Sequence, residues 1–497
     1  MAHGNTDGGQ VTPRSAFYDT GRFGRLFPTL PPFAADTSLI RDALTELGAP
    51  GGLMDAQDDL SDPVTLITDP AKSAHNPNNP AITAGFTFLG QFLDHDMTFD
   101  PTSSLARRQD PESIRNFRIP ALDLDSVYGG GPGASPYLFD QTVDDGRTTL
   151  LVEPNPGSAA VSIDGSTRDD LPRNGQLVAL TGDPRNDENL VVSQLHLAFL
   201  GFHNAVVEDV RADLGVGYTV DEVFAEAQRL VRWHFQWLVL HEFLPKTVGQ
   251  ETADDVREHG PQFYKWHNDP FIPVEFSVAA YRFGHSQVRP SYRANFGTSA
   301  TDATHQFFGL IFDPAVTDPD DPADLRGGRR APRRFIDWQT FFDFGDGRVK
   351  NNKLIDTTLS SPLFALLGQA AGTPVSLATR NLLRNLTMEV PSGQRVARAM
   401  SLPVLAAADL VDIKPLHLEK RTPLWFYVLR EAAVTAGGQH LGPVGGRIVA
   451  EVITGLIHGD RQSYVRQDPN WTPIYGTGDD FTIADLLRKA GVVATIA

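Results

Sequence analysis

The stretch FTFLGQFLDHDMTFDP, Phe86 to Pro101, sets Asp94, His95 and Asp96 side by side in otherwise apolar text. An imidazole can take up and return a proton near neutral pH. Carboxylates beside it can bind a metal or change its basicity, and burying them is costly unless they are paired, bonded or metal-bound. Read as a helix, the segment places Gln91, Asp94 and His95 within an arc of about 100° and turns Asp96 well away. One face then offers an amide, a carboxylate and an imidazole to a common pocket, while the other carboxylate serves something different. The plainer alternative is a helix end with two solvated acids and a backbone-bonded histidine.

Three further segments carry chemistry. In TGDPRNDENL, Arg185 and Glu188 stand three apart at the start of a long helix pattern and can reach one side of its first turn. The alternative is an exposed cap in which Arg185 pairs with Asp183 or Glu188. In AYRFGHSQVRP, Arg282 and His285 are three apart among apolar residues, a setting also common for a satisfied core histidine. In TRNLLRNLTMEVP, Asn381 and Arg384 share a helix face, which could equally be one turned to solvent. His234 and His241 lack an acidic third ligand at metal-site spacing and read as structural, as do His196 and His203. No Walker loop, GxGxxG fingerprint or GxSxG elbow is present.

The elements that must position these groups follow from the wider text. Residues 1–80 read as an irregular Pro-, Gly- and Asp-rich arm laid over a core domain of 81–497. Long helices are predicted over 186–215, capped by Asn186 or Asp187, and over 219–249, where Thr219 and Glu222 form a capping box. Further helices are predicted over 274–288, 375–386 and 392–407, then at PLWFYVLREAAVTA and GPVGGRIVAEVITGLIHG. Residues 313–334, acidic then basic, read as an exposed loop. Strand-like alternation is scarce, so the fold is predicted to be mainly α with long ordered connections. With 43 basic against 61 acidic residues the formal charge is −18, which disfavours nucleic acid and anionic membranes as partners. The absence of cysteine excludes disulfides and thiolate chemistry. No uninterrupted apolar run of membrane-spanning length is read. The N-terminus lacks a secretory pattern, so the chain is expected to be cytoplasmic, to leave by another route, or to lack a leader here.

Taken in order, GQFLDHD, VYG, the Arg-x-x-Glu turn, YRFGH and NxxR resemble the animal-type haem peroxidase family of the peroxidase–cyclooxygenase superfamily. The tail PLWFYVLREA…GPVGGRIVAEV is similar to its prokaryotic-type members, and the resemblance runs from about residue 80 to 460. It implies haem b and Ca2+ as cofactors and a helical fold. By position, His95 corresponds to the distal histidine, Gln91 to the amide beside it and Arg185 to the distal arginine. His285 corresponds to the ligand of the haem iron and Asn381 to the residue bonded to that ligand's other nitrogen. Arg282 corresponds to a propionate partner, and Arg384 closes the NxxR motif on the cofactor. Asp94 and Glu188 correspond to carboxylates that form ester links to haem, and Asp96 to a calcium ligand. Ester formation at Asp94 and calcium at Asp96 would cancel both charges beside His95 and leave it able to accept a proton.

Two departures stand out. The calcium loop anchored on VYG would place ligands at Ile119, Ala121, Asp123 and Asp125, with Ile119 where threonine is usual and Asp125 where serine is usual. Asn189 replaces the methionine that forms a sulfonium link in some members, which turns the expected donor from chloride to easier halides, thiocyanate or phenols. The implied activity is reduction of hydrogen peroxide with oxidation of a small aromatic, halide or thiocyanate donor. The rivals are a fatty-acid dioxygenase of the same superfamily and a non-catalytic haem- or calcium-binding protein. The cyclooxygenases carry a radical tyrosine three residues before the iron ligand; here that position is Arg282, with Tyr281 one residue earlier.

Overall fold

A computed structural model describes residues 22–100, 104–214, 217–266, 269–313, 318–369 and 371–496. The architecture is mainly α, as the patterning requires. Its principal helices are α1 (Ser38–Leu47), α2 (Gly85–Met97), α3 (Leu190–Leu214), α4 (Val220–Leu238), α5 (Gly284–Gln287), α6 (Leu377–Thr387), α7 (Gly393–Ala399), α8 (Leu424–Ala436) and α9 (Pro443–Gly459). Among the described residues the strands form only two-stranded pairs, such as Ser291–Asn295 with Phe307–Leu310.

The DHD helix α2 packs on α3 and α4 through aromatic rings. Phe92 stacks on Phe199 at 4.7 Å, and Phe199 meets Phe235 edge-on at 5.4 Å. Helix α4 carries the predicted capping box at Thr219 and Glu222, then runs through a π turn, Val239–Phe243, into a last helical turn, Leu244–Val248. Helix α3 is long and apolar enough to cross a bilayer, with a mean hydropathy of 1.5 over its most apolar window. Of that window 83% is buried inside the protein, so here it serves as a core helix.

Several expectations are corrected. In the segment read as an irregular arm, whose first 21 residues lie outside those described, Ser38–Leu47 is a helix. It is capped by Thr37 and docks on α6, where Thr379 Oγ1 donates to the Gly48 carbonyl at 2.9 Å. The cap of α3 is Asn189, whose Oδ1 accepts the Val192 N–H at 2.9 Å, so Asn186 and Asp187 fall in a preceding 3-10 turn. Residues 274–288 form three short turns rather than one helix, with Ala279 at φ −132°, ψ −84° between the first two. Side chains satisfy the carbonyls freed there: Arg282 Nε donates to Ser277 O at 3.0 Å and Asn385 Nδ2 to Val278 O at 2.6 Å. Helix α7 stops at Ala399 because Leu402 precedes a proline, which disfavours helical backbone. The acidic–basic run is not an exposed loop throughout. Leu325, Asp324 and Arg334 are buried, and Arg334 Nη1 donates to the carbonyls of Pro322 and Asp324 at 2.9 and 3.0 Å.

At the far side of the core, buried Glu431 of α8 accepts the N–H groups of Val444 and Gly445 at the start of α9, at 2.8 and 3.1 Å. Burial pushes its carboxyl up to about 7. A folded-state pKa above the unfolded one means the native protein holds a proton the unfolded chain has lost. This contribution is therefore complete at low pH and disappears as pH rises through about 7. Glu431→Gln keeps an acceptor for α9 and removes the titration. Thermal melts at pH 5 and pH 8 should show the variant losing less stability than wild type, by up to about 3 kcal/mol; equal losses would contradict this account.

Candidate active site

Gln91, Asp94 and His95 of α2 line one cavity of about 490 Å³ together with Arg185, Glu188, Arg282, His285, Asn381 and Arg384. Segments far apart in sequence thus converge, and Tyr281 Oη donating to the Gly90 carbonyl at 3.0 Å ties the His285 segment directly to α2. Phe86, Phe88, Ile311, Phe312, Leu363 and Leu377 supply apolar wall.

His95 is held from behind. Its Nδ1 lies 2.8 Å from Asn186 Oδ1, and Asn186 Nδ2 lies 2.8 Å from Nδ1 of buried His196. An amide oxygen only accepts, so His95 Nδ1 carries a proton and its Nε2 faces the cavity. That nitrogen is 3.4 Å from Glu188 Oε1. Gln91 Nε2 donates to the same carboxylate oxygen, and Asn189 Nδ2 donates to Gln91 Oε1 at 3.1 Å. Desolvation at the cavity wall would raise the half-exposed Glu188 carboxyl, but His95, Arg185 and Gln91 outweigh it and hold it below its ordinary value. The chain around Glu188 is clasped by the 324–328 segment: Leu190 N donates to Leu325 O at 2.8 Å and Gly327 N to Glu188 O at 3.1 Å. A Cβ at Gly327 would lie 1.7 Å from the Asp187 carbonyl, so only glycine allows this approach.

Arg185 does pair with Asp183, as the capping alternative held, but the pair is not an exposed one. Asp183 is fully buried, and Arg185 reaches both its oxygens, at 3.1 and 2.8 Å, while Arg118 reaches it at 2.6 Å from the other side. Burial raises the Asp183 carboxyl and the two arginines more than offset this, leaving it well below the usual range. Arg185 also donates to the carbonyls of His95 and Thr98, and its Nη1 lies 3.9 Å from Asp94 Oδ2. Asp94 Oδ1 accepts from Thr98 Oγ1 at 3.0 Å.

On the His285 side, Nδ1 lies 2.7 Å from Asn381 Nδ2, and Asn381 Oδ1 accepts from Arg282 Nη1 at 3.1 Å. Burial, with Arg282 and Arg380 nearby, pushes His285 down to about 3 and keeps it neutral. Asn381 is 1% exposed, so the surface alternative for the NxxR segment fails. Arg380 also lines the cavity beside Arg384.

Asp96 leaves this cavity, as its place on the helix requires. Its carboxylate accepts from Leu124 N at 2.9 Å, Ser126 N at 3.2 Å and Ser126 Oγ at 2.8 Å. Oxygens of Asp96, Asp123 and Asp125, all buried, lie within 4.8 Å of one another. Arg118 reaches Asp125 at 3.4 Å, but among the described residues no ion pair reaches Asp96 or Asp123. Burial and the neighbouring Asp123 push Asp96 up to about 6, and burial likewise raises Asp125. Ile119 N–H lies 3.5 Å from Asp125 Oδ2, while the Ile119 carbonyl accepts the Ala121 N–H at 2.8 Å, so these two can add only backbone oxygens.

The profile of the animal haem peroxidase family matches residues 108–319. Over that span the chain is similar to the animal haem peroxidase family. Pig thyroid peroxidase is 30% identical over 201 residues, which cover 38% of this chain and 20% of that protein. A peroxidase-like protein of Margaritifera margaritifera is 37% identical over 112 residues, or 22% and 14% of the two chains. The match thus spans about a fifth or less of these relatives. Among solved structures, peroxidase A of Dictyostelium discoideum has the same fold, with a TM-score of 0.56 at 17% identity over 94% of both chains. Oryza sativa fatty acid α-dioxygenase gives 0.55 at 16% identity over 88% of this chain and 76% of that one.

Relative to the family motif, five contributors carry no legible sequence signal for their roles: Asn186, His196, Asp183, Arg118 and Arg380. Asn186 and Asp183 sit inside the very segment singled out, but their roles depend on contacts with α2 and α3. Replacing Asn186 with leucine should strand Nδ1 of both His95 and His196. The expected cost is roughly 2–4 kcal/mol in denaturant unfolding, and ¹⁵N spectra of labelled histidine should show His95 leaving the single Nδ1–H tautomer. An unchanged tautomer would remove Asn186 from this role.

Proposed function

We propose that the cavity shared by His95 and His285 holds haem b and that the protein reduces hydrogen peroxide while oxidising a small aromatic, halide or thiocyanate donor. The observation that carries this reading is the convergence of both imidazoles and four cations, Arg185, Arg282, Arg380 and Arg384, on one cavity that also has an apolar wall. Apolar wall suits a macrocycle and arginines suit its carboxylates. The prokaryotic-type tail supports placement among those members.

When bound, haem supplies the redox chemistry; the protein supplies ligand, geometry and protons. His285 would offer Nε2 to iron. Its Nδ1 must then carry a proton and needs an acceptor, so Asn381 would present its oxygen there as Arg282 turns from the amide to a propionate. His95 Nε2 accepts a proton from peroxide in the cavity and returns it to the departing oxygen. Arg185, held by Asp183, stabilises charge developing on that oxygen. Asp94 and Glu188 both face the cavity and are the candidates for ester links. Ca2+ fits the three buried aspartates, because hard carboxylate oxygens gather there without enough positive charge.

A fatty-acid dioxygenase reading is kept alive by the likeness to the rice enzyme and by Tyr281 on the cavity wall. Guaiacol oxidation with peroxide against oxygen uptake with unsaturated fatty acid separates the two. A non-catalytic haem- or calcium-binding role would leave His95 idle. In the haem-loaded protein, His95→Ala should slow the peroxide-driven Soret change by about 10²–10⁴-fold; an unchanged rate would sink the peroxidase reading. Haem should resist acid–ketone extraction from peroxide-treated wild type and be released when Asp94 and Glu188 are both replaced. Chelation of Ca2+ should lower Tm, and an unaltered melt would argue against that ion.

A further inference from the structure

On the side of α4 turned away from the cavity, Trp233, Trp237, His241, Tyr464 and Trp471 form one aromatic cluster. Tyr464 Oη lies 3.1 Å from His241 Nε2. Trp237 lies flat on the His241 ring, at 3.8 Å and 14°, and its indole N–H donates to Asp480 Oδ1 at 3.0 Å. Trp471 is 5.6 Å from Tyr464, 6.1 Å from Trp237 and 5.4 Å from Trp233. His241 sits in the π turn of α4, an irregularity that frequently marks functional sites. Tyr464 is buried, whereas Trp237 and Trp471 are partly exposed.

Phenol and indole side chains give up single electrons readily, and an oxidised phenol is a strong acid that needs a base within hydrogen-bond reach. Most buried tyrosines here lack one. Tyr281 and Tyr264 donate to backbone carbonyls, and Tyr292 accepts from the Arg289 N–H. Tyr128 does meet His203, at 3.0 Å, but its ring neighbours are His203 and Phe224, with no indole. Tyr464 combines a base with indoles that reach solvent.

We propose that Tyr464 and His241 form a redox-active pair in which Tyr464 loses one electron, its proton passes to His241 Nε2, and Trp237 and Trp471 relay the electron vacancy to solvent. For its oxidant the pair rests on the proposed function: one electron from Tyr464 lowers the peroxide-oxidised cofactor site by one equivalent. A neutral tyrosyl radical and an imidazolium remain. An aromatic donor at the surface returns the electron, and His241 returns the proton. Donors too bulky for the cavity thereby become substrates. Burial pushes His241 down to about 4, so its Nε2 is free to accept. Phe235, on the same helix as Trp233 and Trp237, packs through Phe199 onto Phe92 of α2, the helix that carries His95.

The test is electron paramagnetic resonance on the full chain after two oxidations. Peroxide on the haem-loaded protein, without donor, should give a tyrosyl signal that Tyr464→Phe abolishes. Flash photo-oxidation by ruthenium tris-bipyridine with persulfate should give the same signal in cofactor-free protein, formed at least tenfold more slowly in His241→Gln. A signal unchanged by Tyr464→Phe under both oxidants, or one formed equally fast in His241→Gln, overturns the pair. A Tyr464 signal under photo-oxidation but none after peroxide overturns the relay if the peroxide-driven Soret change is intact, and counts against the haem reading instead if that change is missing.

Discussion

Three consecutive ionisable side chains can share a buried helix only if each is directed to a separate partner. Asp94, His95 and Asp96 meet that constraint by pointing to an arginine, an amide and a hydroxyl respectively: Arg185, Asn186 and Ser126. Much of the surrounding structure exists to hold those partners. The 3-10 turn Pro184–Asp187 presents Arg185 and Asn186 together, and its own cap, Asp183, is fixed by Arg118 from the loop that carries Asp123 and Asp125. The cavity and the acidic cluster are therefore two sides of one hydrogen-bonded assembly, not neighbouring sites that happen to adjoin.

Periodicity made the helices legible where they are long and one-faced. It placed α3, α4, α8 and α9, and it separated Asp96 from Gln91, Asp94 and His95 on α2. It failed at 274–288, where the backbone breaks so that Arg282 and Asn385 can cap its carbonyls; only tertiary partners can make such a break favourable. The basic half of the 313–334 run read as solvated because charge is usually exposed. Arg334 is buried instead, since backbone carbonyls of its own loop take its N–H groups. Such a loop-internal solution leaves no periodic trace.

The site itself was legible as a list of residues but not as a network. Gln91, His95, Arg185, Glu188, Arg282, His285, Asn381 and Arg384 do converge. What sequence order could not supply is the direction of each polar contact. Asn189, marked only as a replaced methionine, turns out to cap α3 with its oxygen and steady Gln91 with its nitrogen. One substitution thus serves helix termination and the orientation of a cavity side chain at once.

The bond from Tyr281 to the Gly90 carbonyl joins residues 191 positions apart. Closing so long a loop costs chain entropy before any contact rewards it, and chains dominated by distant contacts fold slowly. The helical hairpin of α3 and α4 can form locally, but the pocket wall cannot exist until the two halves of the polypeptide have met. The cavity lining, drawn from Phe86 through Arg384, can therefore be complete only once most of the chain has been synthesised.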